Sequence, residues 1–141
     1  MPTIREFMTR EPVTIEAGKP IEEAARLMRE HDIGLLPVME GGQFKGVVTD
    51  RDIVIRAVAD GKFQERIGSI VSTRVQALSP DDDVRRAAEM MSQSDVRRLP
   101  VCEGDRLVGI VSVGDLATRA NSNLAGAVME RTGPETSGTP R

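Results

Sequence analysis

The feature that most constrains the fold of this chain is an internal repeat with a constant shift of 63 residues. Residues 8–53 align on residues 71–116 without a gap, and 12 of the 46 aligned positions are identical. The identical positions include Leu-Pro-Val at 36–38 and 99–101, Gly46 with Gly109, and Asp52 with Asp115. A fixed period of this length indicates two copies of one supersecondary unit.

Each copy shows the pattern of a strand, a helix, two strands and a second helix. Short apolar stretches at 13–15 and 75–78 predict the opening strands. Apolar residues at the helical spacing then predict a helix with one buried face, formed by Ile21, Ala24, Ala25 and Met28 and by Val84, Ala87, Ala88 and Met91. A Glu-Gly turn predicts a hairpin of the next two strands, and the second helix begins after Thr49 or Ser112. The expected class is therefore α/β of the α+β type.

The repeat also predicts how the chain is divided. We expect a first repeat with its lead-in at residues 1–61, a linker at 62–69 and a second repeat at 70–120. Residues 121–141 are rich in Gly, Pro, Ser and Thr, which is typical of a flexible tail. A chain of 141 residues is long enough for one compact domain or two very small ones that share a core.

Composition excludes several classes of function. The net charge of −3 and the absence of any Lys/Arg block argue against a nucleic-acid partner. The sequence shows neither a leader pattern nor an apolar run long enough for a bilayer, so we expect a cytoplasmic protein without a membrane partner. His31 and Cys102 are the only residues of their types, and no motif places a nucleophile or metal ligands beside them. We therefore expect no catalytic residues and no metal site.

The segments Gly46–Ile53 and Gly109–Leu116 each place an acid three residues after a hydroxyl, and this spacing has two interpretations. In a capping box, the hydroxyl of Thr49 or Ser112 accepts from a backbone N–H, and Asp52 or Asp115 reaches back to the amide of the capping residue. In a nucleotide site, the helix N-terminus faces an anion and the carboxylate binds ribose hydroxyls. The sequence alone leaves both interpretations open.

Taken together, these motifs resemble a tandem pair of CBS domains over residues 4–120. Both copies contain the Ala-Ala-x-x-Met helix, the Leu-Pro-Val strand, a turn glycine and the Gly-apolar-apolar-[Thr/Ser]-x-x-Asp segment. The stretches 28–38 and 48–61 are similar to small stand-alone bacterial CBS-pair proteins, including hypoxic-response-type proteins. The resemblance implies two βαββα repeats packed with pseudo-twofold symmetry. It also implies clefts that bind AMP, ADP, ATP or S-adenosylmethionine.

The resemblance assigns roles to particular residues of this chain. It implies that Thr49, Asp52, Ser112 and Asp115 contact ribose and phosphate, and that Arg97 and Arg98 bind phosphate. The first repeat departs from the pattern, because Gly34 and Leu35 stand where the second has the two arginines. Arg51 is a further possible source of positive charge. We expect an apolar slot for adenine that is lined by Ile15, Pro37, Leu78 and Pro100.

Two functions of different class follow. The first is a non-catalytic regulatory module that binds an adenosine-containing ligand, without an obligatory cofactor, and signals to a separate effector protein. The alternative is a structural or stress-response homodimer that binds no nucleotide. We expect a homodimer in both cases, because two small repeats bury little core and leave Ile53, Ile55 and Val58 in need of cover.

Overall fold

The computed structural model describes residues 2–119. Both repeats contain the predicted helix, hairpin and second helix, and the first repeat also has its opening strand. The strands are β1 (Thr9–Arg10), β2 (Ile15–Glu16), β3 (Leu35–Glu40), β4 (Gln43–Thr49), β5 (Arg98–Glu103) and β6 (Arg106–Ser112). The α-helices are α1 (Ile21–His31), α2 (Asp50–Arg56), α3 (Val84–Ser94) and α4 (Val113–Arg119), with 3-10 turns at Ile4–Glu6, Val58–Asp60 and Ile67–Ser69. The predicted α+β class is confirmed.

The chain folds into two compact units that do not coincide with the two repeats. The first unit is residues 13–75, and the second unit combines the described residues up to Pro12 with those from Gln76 to residue 119. The segment that leads into each repeat therefore packs in the unit that holds the body of the other repeat. The repeat boundaries given above stay a prediction, and the tail at 121–141 lies outside the described residues.

Each unit is built on a hairpin with a short partner on either side. In the first unit the sheet order is β2-β3-β4, with β2 parallel to β3, and Ser72 bridges Val47 on β4. In the second unit the order is β1-β6-β5, and the opening strand is reduced to a parallel bridge between Leu78 and Val101. The two sheets thus have equivalent connectivity.

A separate apolar cluster fills each unit, built from equivalent positions of the two repeats. The first unit buries Ile21, Ala24 and Met28 of α1 against Leu36, Val38 and Val48 of the hairpin. The second unit buries Val84, Ala87, Ala88 and Met91 of α3 against Leu99, Val101 and Val111. Ala25 departs from the expected pattern because it is exposed on α1, whereas its counterpart Ala88 is buried.

The two lead-in segments are held by backbone hydrogen bonds that also repeat with the shift of 63 residues. Three bonds fix each segment. They are Ile67 N to Lys19 O at 2.8 Å, Gly68 N to Ala17 O at 2.9 Å and Ile21 N to Glu65 O at 2.8 Å in the first unit. Their counterparts are Ile4 N to Asp82 O at 2.9 Å, Arg5 N to Pro80 O at 2.9 Å and Val84 N to Pro2 O at 3.2 Å in the second unit.

The repeated glycines Gly46 and Gly109 lie where the lead-in backbone crosses the hairpin. A Cβ atom on Gly46 would overlap the carbonyl oxygen of Ser72, and one on Gly109 would lie 2.7 Å from the carbonyl oxygen of Thr9. Only glycine leaves room for this approach. The glycine of the repeated motif is therefore required by packing.

Candidate functional site

Helix α2 begins with a reciprocal capping box at Thr49 and Asp52. The Asp52 N–H donates to Thr49 Oγ1 at 3.1 Å, and the Thr49 N–H donates to Asp52 Oδ2 at 3.0 Å. Extended φ and ψ angles at Thr49 turn the chain out of β4 directly into the helix. The capping interpretation of this motif is therefore confirmed.

Helix α4 begins in the same way. The Asp115 N–H donates to Ser112 Oγ at 3.1 Å, and the Ser112 N–H donates to Asp115 Oδ2 at 2.9 Å. All four side chains of the two boxes are half-buried. In both boxes only one oxygen of the carboxylate, Oδ2, accepts the cap bond, so capping and ligand binding are compatible.

Strand alternation places several of the predicted site residues on one face of each sheet. Leu36 and Val38 point into the core of the first unit, so Pro37 points to the opposite face, opposite Val47 in the register. In the second unit Pro100 is opposite Ile110 in the same way. Both prolines are buried, yet Val47 and Ile110 belong to neither apolar cluster. This second face meets the capping boxes where the hairpins end.

Two residues that were expected to line an adenine slot pack in the apolar clusters. Ile15 is 4% exposed and pairs with Val38, and Leu78 is 1% exposed and pairs with Val101. Both belong to the apolar clusters that pack against the helices. Because their packing is that of core residues, the site proposed below does not include them.

The predicted anion-binding residues flank the second capping box. Arg98 opens β5 opposite Ser112, and the carbonyl oxygen of Arg97 accepts the Val113 N–H at 2.9 Å. Both arginines are half-buried. In the first repeat the Gly34 carbonyl makes the equivalent bond to the Asp50 N–H at 2.9 Å, but no basic side chain extends from that position.

The remaining candidates have local roles in the structure. Arg51 is exposed in the first turn of α2, and His31 is the last residue of α1. Cys102 is half-buried, and burial raises the pKa of its thiol.

Between residues 2 and 119 the His, Cys, Asp and Glu side chains form no group of three suited to a metal ion. No helix in this part of the chain is long and apolar enough to cross a membrane.

Sequence reasoning missed Arg56, which contacts the first capping box from the last turn of α2. Its Nη2 lies 3.8 Å from Asp52 Oδ1, the carboxylate oxygen that the cap leaves open. Its Nη1 donates to the carbonyl oxygen of Ile70 at 3.0 Å and to Ser72 Oγ at 3.1 Å. The spacing of four residues on a helix was the available signal, since it places Arg56 and Asp52 on one face.

The CBS domain model matches this chain twice, at residues 4–58 and 67–121. Each match begins at the lead-in segment and ends in or just after the second helix of the repeat. The two matches are offset by the same 63 residues as the internal repeat.

Relatives and solved structures agree with this match. CBS domain-containing protein YhcV of Bacillus subtilis is 39% identical over 87% of this chain and 89% of its own. Hypoxic response protein 1 of Mycobacterium tuberculosis is 33% identical over 83% of this chain and 84% of its own. A crystal structure of Hypoxic Response Protein I with two coordinated zinc ions gives a TM-score of 0.76 at 32% identity, covering 85% of this chain and all of that one. The CBS domain pair of protein MJ0100, in complex with 5-methylthioadenosine and S-adenosyl-L-methionine, gives 0.74 at 28% identity, covering 84% and 94%.

Proposed function

Because this chain belongs to the CBS-domain family, we propose that it is a cytoplasmic, non-catalytic regulatory module that binds an adenosine-containing ligand. Its two capping boxes supply the ribose contacts. Ligand binding changes the conformation of the module, and a separate effector protein recognises that change. The similar CBS pair of MJ0100, which binds two adenosine compounds, supports this class of ligand.

The observation that carries the proposal is that each capping carboxylate uses only one of its two oxygens for the cap. Asp52 and Asp115 each use Oδ2 for the cap, and each is half-buried at the end of a hairpin. A ribose presents two neighbouring hydroxyl donors, and hydrogen bonds to an ionised acceptor are about twice as strong as neutral ones. Oδ1 of each residue is the acceptor that we assign to the ribose.

The side of the site next to the second box favours a phosphorylated ligand. Arg97 and Arg98 lie beside Ser112, whereas the first repeat has Gly34 and Leu35 at these positions. We therefore expect two sites of clearly unequal affinity for AMP, ADP or ATP. Isothermal titration should resolve two classes of site or one tight site, and two identical independent sites would contradict the assignment.

The decisive experiment changes the reach of the carboxylate while retaining the cap. Asp52→Glu and Asp115→Glu keep an acid at the third position of the box, where Glu is favoured, but extend it by one methylene. Nucleotide affinity should fall roughly ten-fold or more, because charge-assisted hydrogen bonds of about 1.5–3 kcal/mol each are lost. The free energy of unfolding should change little.

A matched control is Asp83→Glu, which alters the N-cap of α3 away from both boxes. It should leave affinity as in the unaltered protein. Binding should be titrated with AMP, ADP, ATP and S-adenosylmethionine. If none of the four binds at millimolar concentration, or if both Asp→Glu variants bind as well as the unaltered protein, the capping boxes are structural and the nucleotide-free homodimer is the better account.

A homodimer is part of the proposal, with α2 and the turn after it as the contact. Val54, Ile55, Val58 and Phe63 expose about half of their surface or more. Ile53, which was expected on this face, instead packs in the core at 8% exposure. Two of the similar solved structures are described as hexameric CBS-CP12 proteins, which supports assembly. Light scattering at micromolar concentration should give twice the mass of one chain, and Ile55→Asp should halve it.

A further inference from the structure

Arg56 joins the capping box of α2 to the chain that leaves the first unit. Two hydrogens of Nη1 are accounted for by the Ile70 carbonyl at 3.0 Å and Ser72 Oγ at 3.1 Å, which fixes the plane of the guanidinium. Nη2 then faces Asp52 Oδ1 at 3.8 Å. The side chain of Asp52 is 18% exposed and that of Arg56 is 48% exposed, so water screens this pair mainly from the arginine side.

The segment held by Arg56 is the last part of the first unit before the chain crosses into the second. Ser72 N donates to the Val47 carbonyl at 2.9 Å, and Val47 N donates to the Ser72 carbonyl at 3.1 Å. The first unit ends at Val75, three residues further on. Arg56 thus forms an ion pair with the candidate ribose carboxylate and hydrogen bonds with the segment that leads to the end of the first unit.

We infer that Arg56 is a positioning residue that couples ligand binding at Asp52 to the segment 70–75. This inference rests on the proposed function, because it requires a ligand on Asp52. The fixed guanidinium holds the Asp52 carboxylate so that Oδ1 faces the ribose. A ribose bound there restrains the carboxylate, and the restraint passes through Arg56 to Ile70 and Ser72. Coupling of this kind is reciprocal: the contact that strengthens binding is itself strengthened by the ligand.

The test compares Arg56→Met with Arg29→Met, which removes the same charge from an exposed position on α1 of the same unit. Both are made in an Asp115→Asn background, so that the titration reports the first repeat. The probe is the tightest binder among AMP, ADP, ATP and S-adenosylmethionine. Affinity is measured by calorimetry, and protection of the Ser72 amide is measured by hydrogen exchange with and without the probe.

We expect Arg56→Met to weaken binding roughly five-fold, the lower end of typical coupling between two sites. The probe should slow exchange of the Ser72 amide in the Asp115→Asn parent and in the Arg29→Met variant, but not in the Arg56→Met variant. Arg56→Lys keeps the positive charge but loses the planar guanidinium with its several donors. It should therefore recover part of the binding affinity and part of the Ser72 protection. If Arg56→Met fails to fold, Ser72→Ala replaces it, and it should reduce the protection conferred by the probe on residues 70–73.

The outcomes separate this inference from the proposed function. If the parent and the Arg56→Met variant bind the probe with the same affinity and gain the same protection at Ser72, the coupling is overturned and the ligand site stands. No binding to the unaltered protein would overturn both. Binding to the unaltered protein but not to the Asp115→Asn parent would overturn the coupling alone, because Asp52 would then hold no ligand. Weaker binding in Arg56→Met with Ser72 protection unchanged would also overturn the coupling, because it would reduce Arg56 to a local contact.

Discussion

Replacing Gly46 by alanine tests whether the repeated glycine is required by the lead-in segment. The new Cβ atom would overlap the Ser72 carbonyl oxygen, and it would lie 2.9 Å from the Ser72 carbonyl carbon and 3.1 Å from Val71 Cγ2. The first two contacts are with backbone, which cannot rotate away as a side chain can. The segment around Ser72 must therefore move off β4.

The cost follows from what that movement breaks. Two backbone hydrogen bonds join Ser72 and Val47, at 2.9 and 3.1 Å. At roughly 0.5–1.5 kcal/mol each, their loss amounts to about 1–3 kcal/mol. The restriction that alanine places on the unfolded chain gives no offset here, because Gly46 has a φ of 159°, which L side chains rarely adopt. We expect a net loss of about 1–3 kcal/mol.

Urea unfolding of three variants checks this expectation. Gly46→Ala should lower the midpoint, and Gly109→Ala should lower it less, because one of its close neighbours is the flexible Met8 side chain, with Sδ at 2.8 Å. Gly18→Ala is the control, since its Cβ would meet nothing within 4 Å. A Gly46→Ala midpoint equal to that of Gly18→Ala would refute the packing argument.

Three further expectations concern the helix ends and the lone thiol. Hydrogen bonds from Arg85 lower the pKa of Asp83, so the stability that Asp83 adds is present above its ordinary pKa and is lost as the pH falls through the lowered value. Unfolding of the unaltered protein and of Asp83→Asn, compared across acidic pH, should show their difference shrink on acidification. Asp32 ends α1 in the left-handed region at φ 52°, so Asp32→Asn should raise stability by roughly 0.3–1 kcal/mol in thermal melts, because it removes a negative charge from a helix C-terminus. Cys102, with its pKa raised by burial, should react with iodoacetamide at neutral pH more slowly than free cysteine, and equal rates would contradict its packing.

The order of elements could be predicted from the sequence because the strong signals are local. Both hairpins follow from the turn glycines, and helix α2 begins directly after Thr49 because the hydroxyl and the acid lie three residues apart. The same local rules predicted the amphipathic face of α1, except at Ala25. Alanine is small enough to be tolerated on either face, so the periodicity does not fix its burial.

The contacts that organise the two units were not predictable from such rules. Nothing in the residues before Pro12 indicates that they pack with the second repeat, because the partners lie far away in sequence. The packing of Ile15 and Leu78 in the apolar clusters was not predictable either, because the sequence does not show which sheet face an opening strand of one or two paired residues presents. Arg56 was missed because two of its three contacts are with residues 70 and 72, far from it in sequence.

The crossed lead-in segments also determine the order in which the chain can fold during synthesis. All residues of the first unit are contiguous, so it can close as soon as residue 75 has left the ribosome. The N-terminal segment must wait, because Thr9 pairs with Ile110, about 100 positions later. Until then Ile4 and Phe7, which are buried in the finished unit, lack the residues that pack against them. Loop closure over that distance is slow, so the segment around Thr9, although synthesised before the whole first unit, is among the last to reach its native contacts.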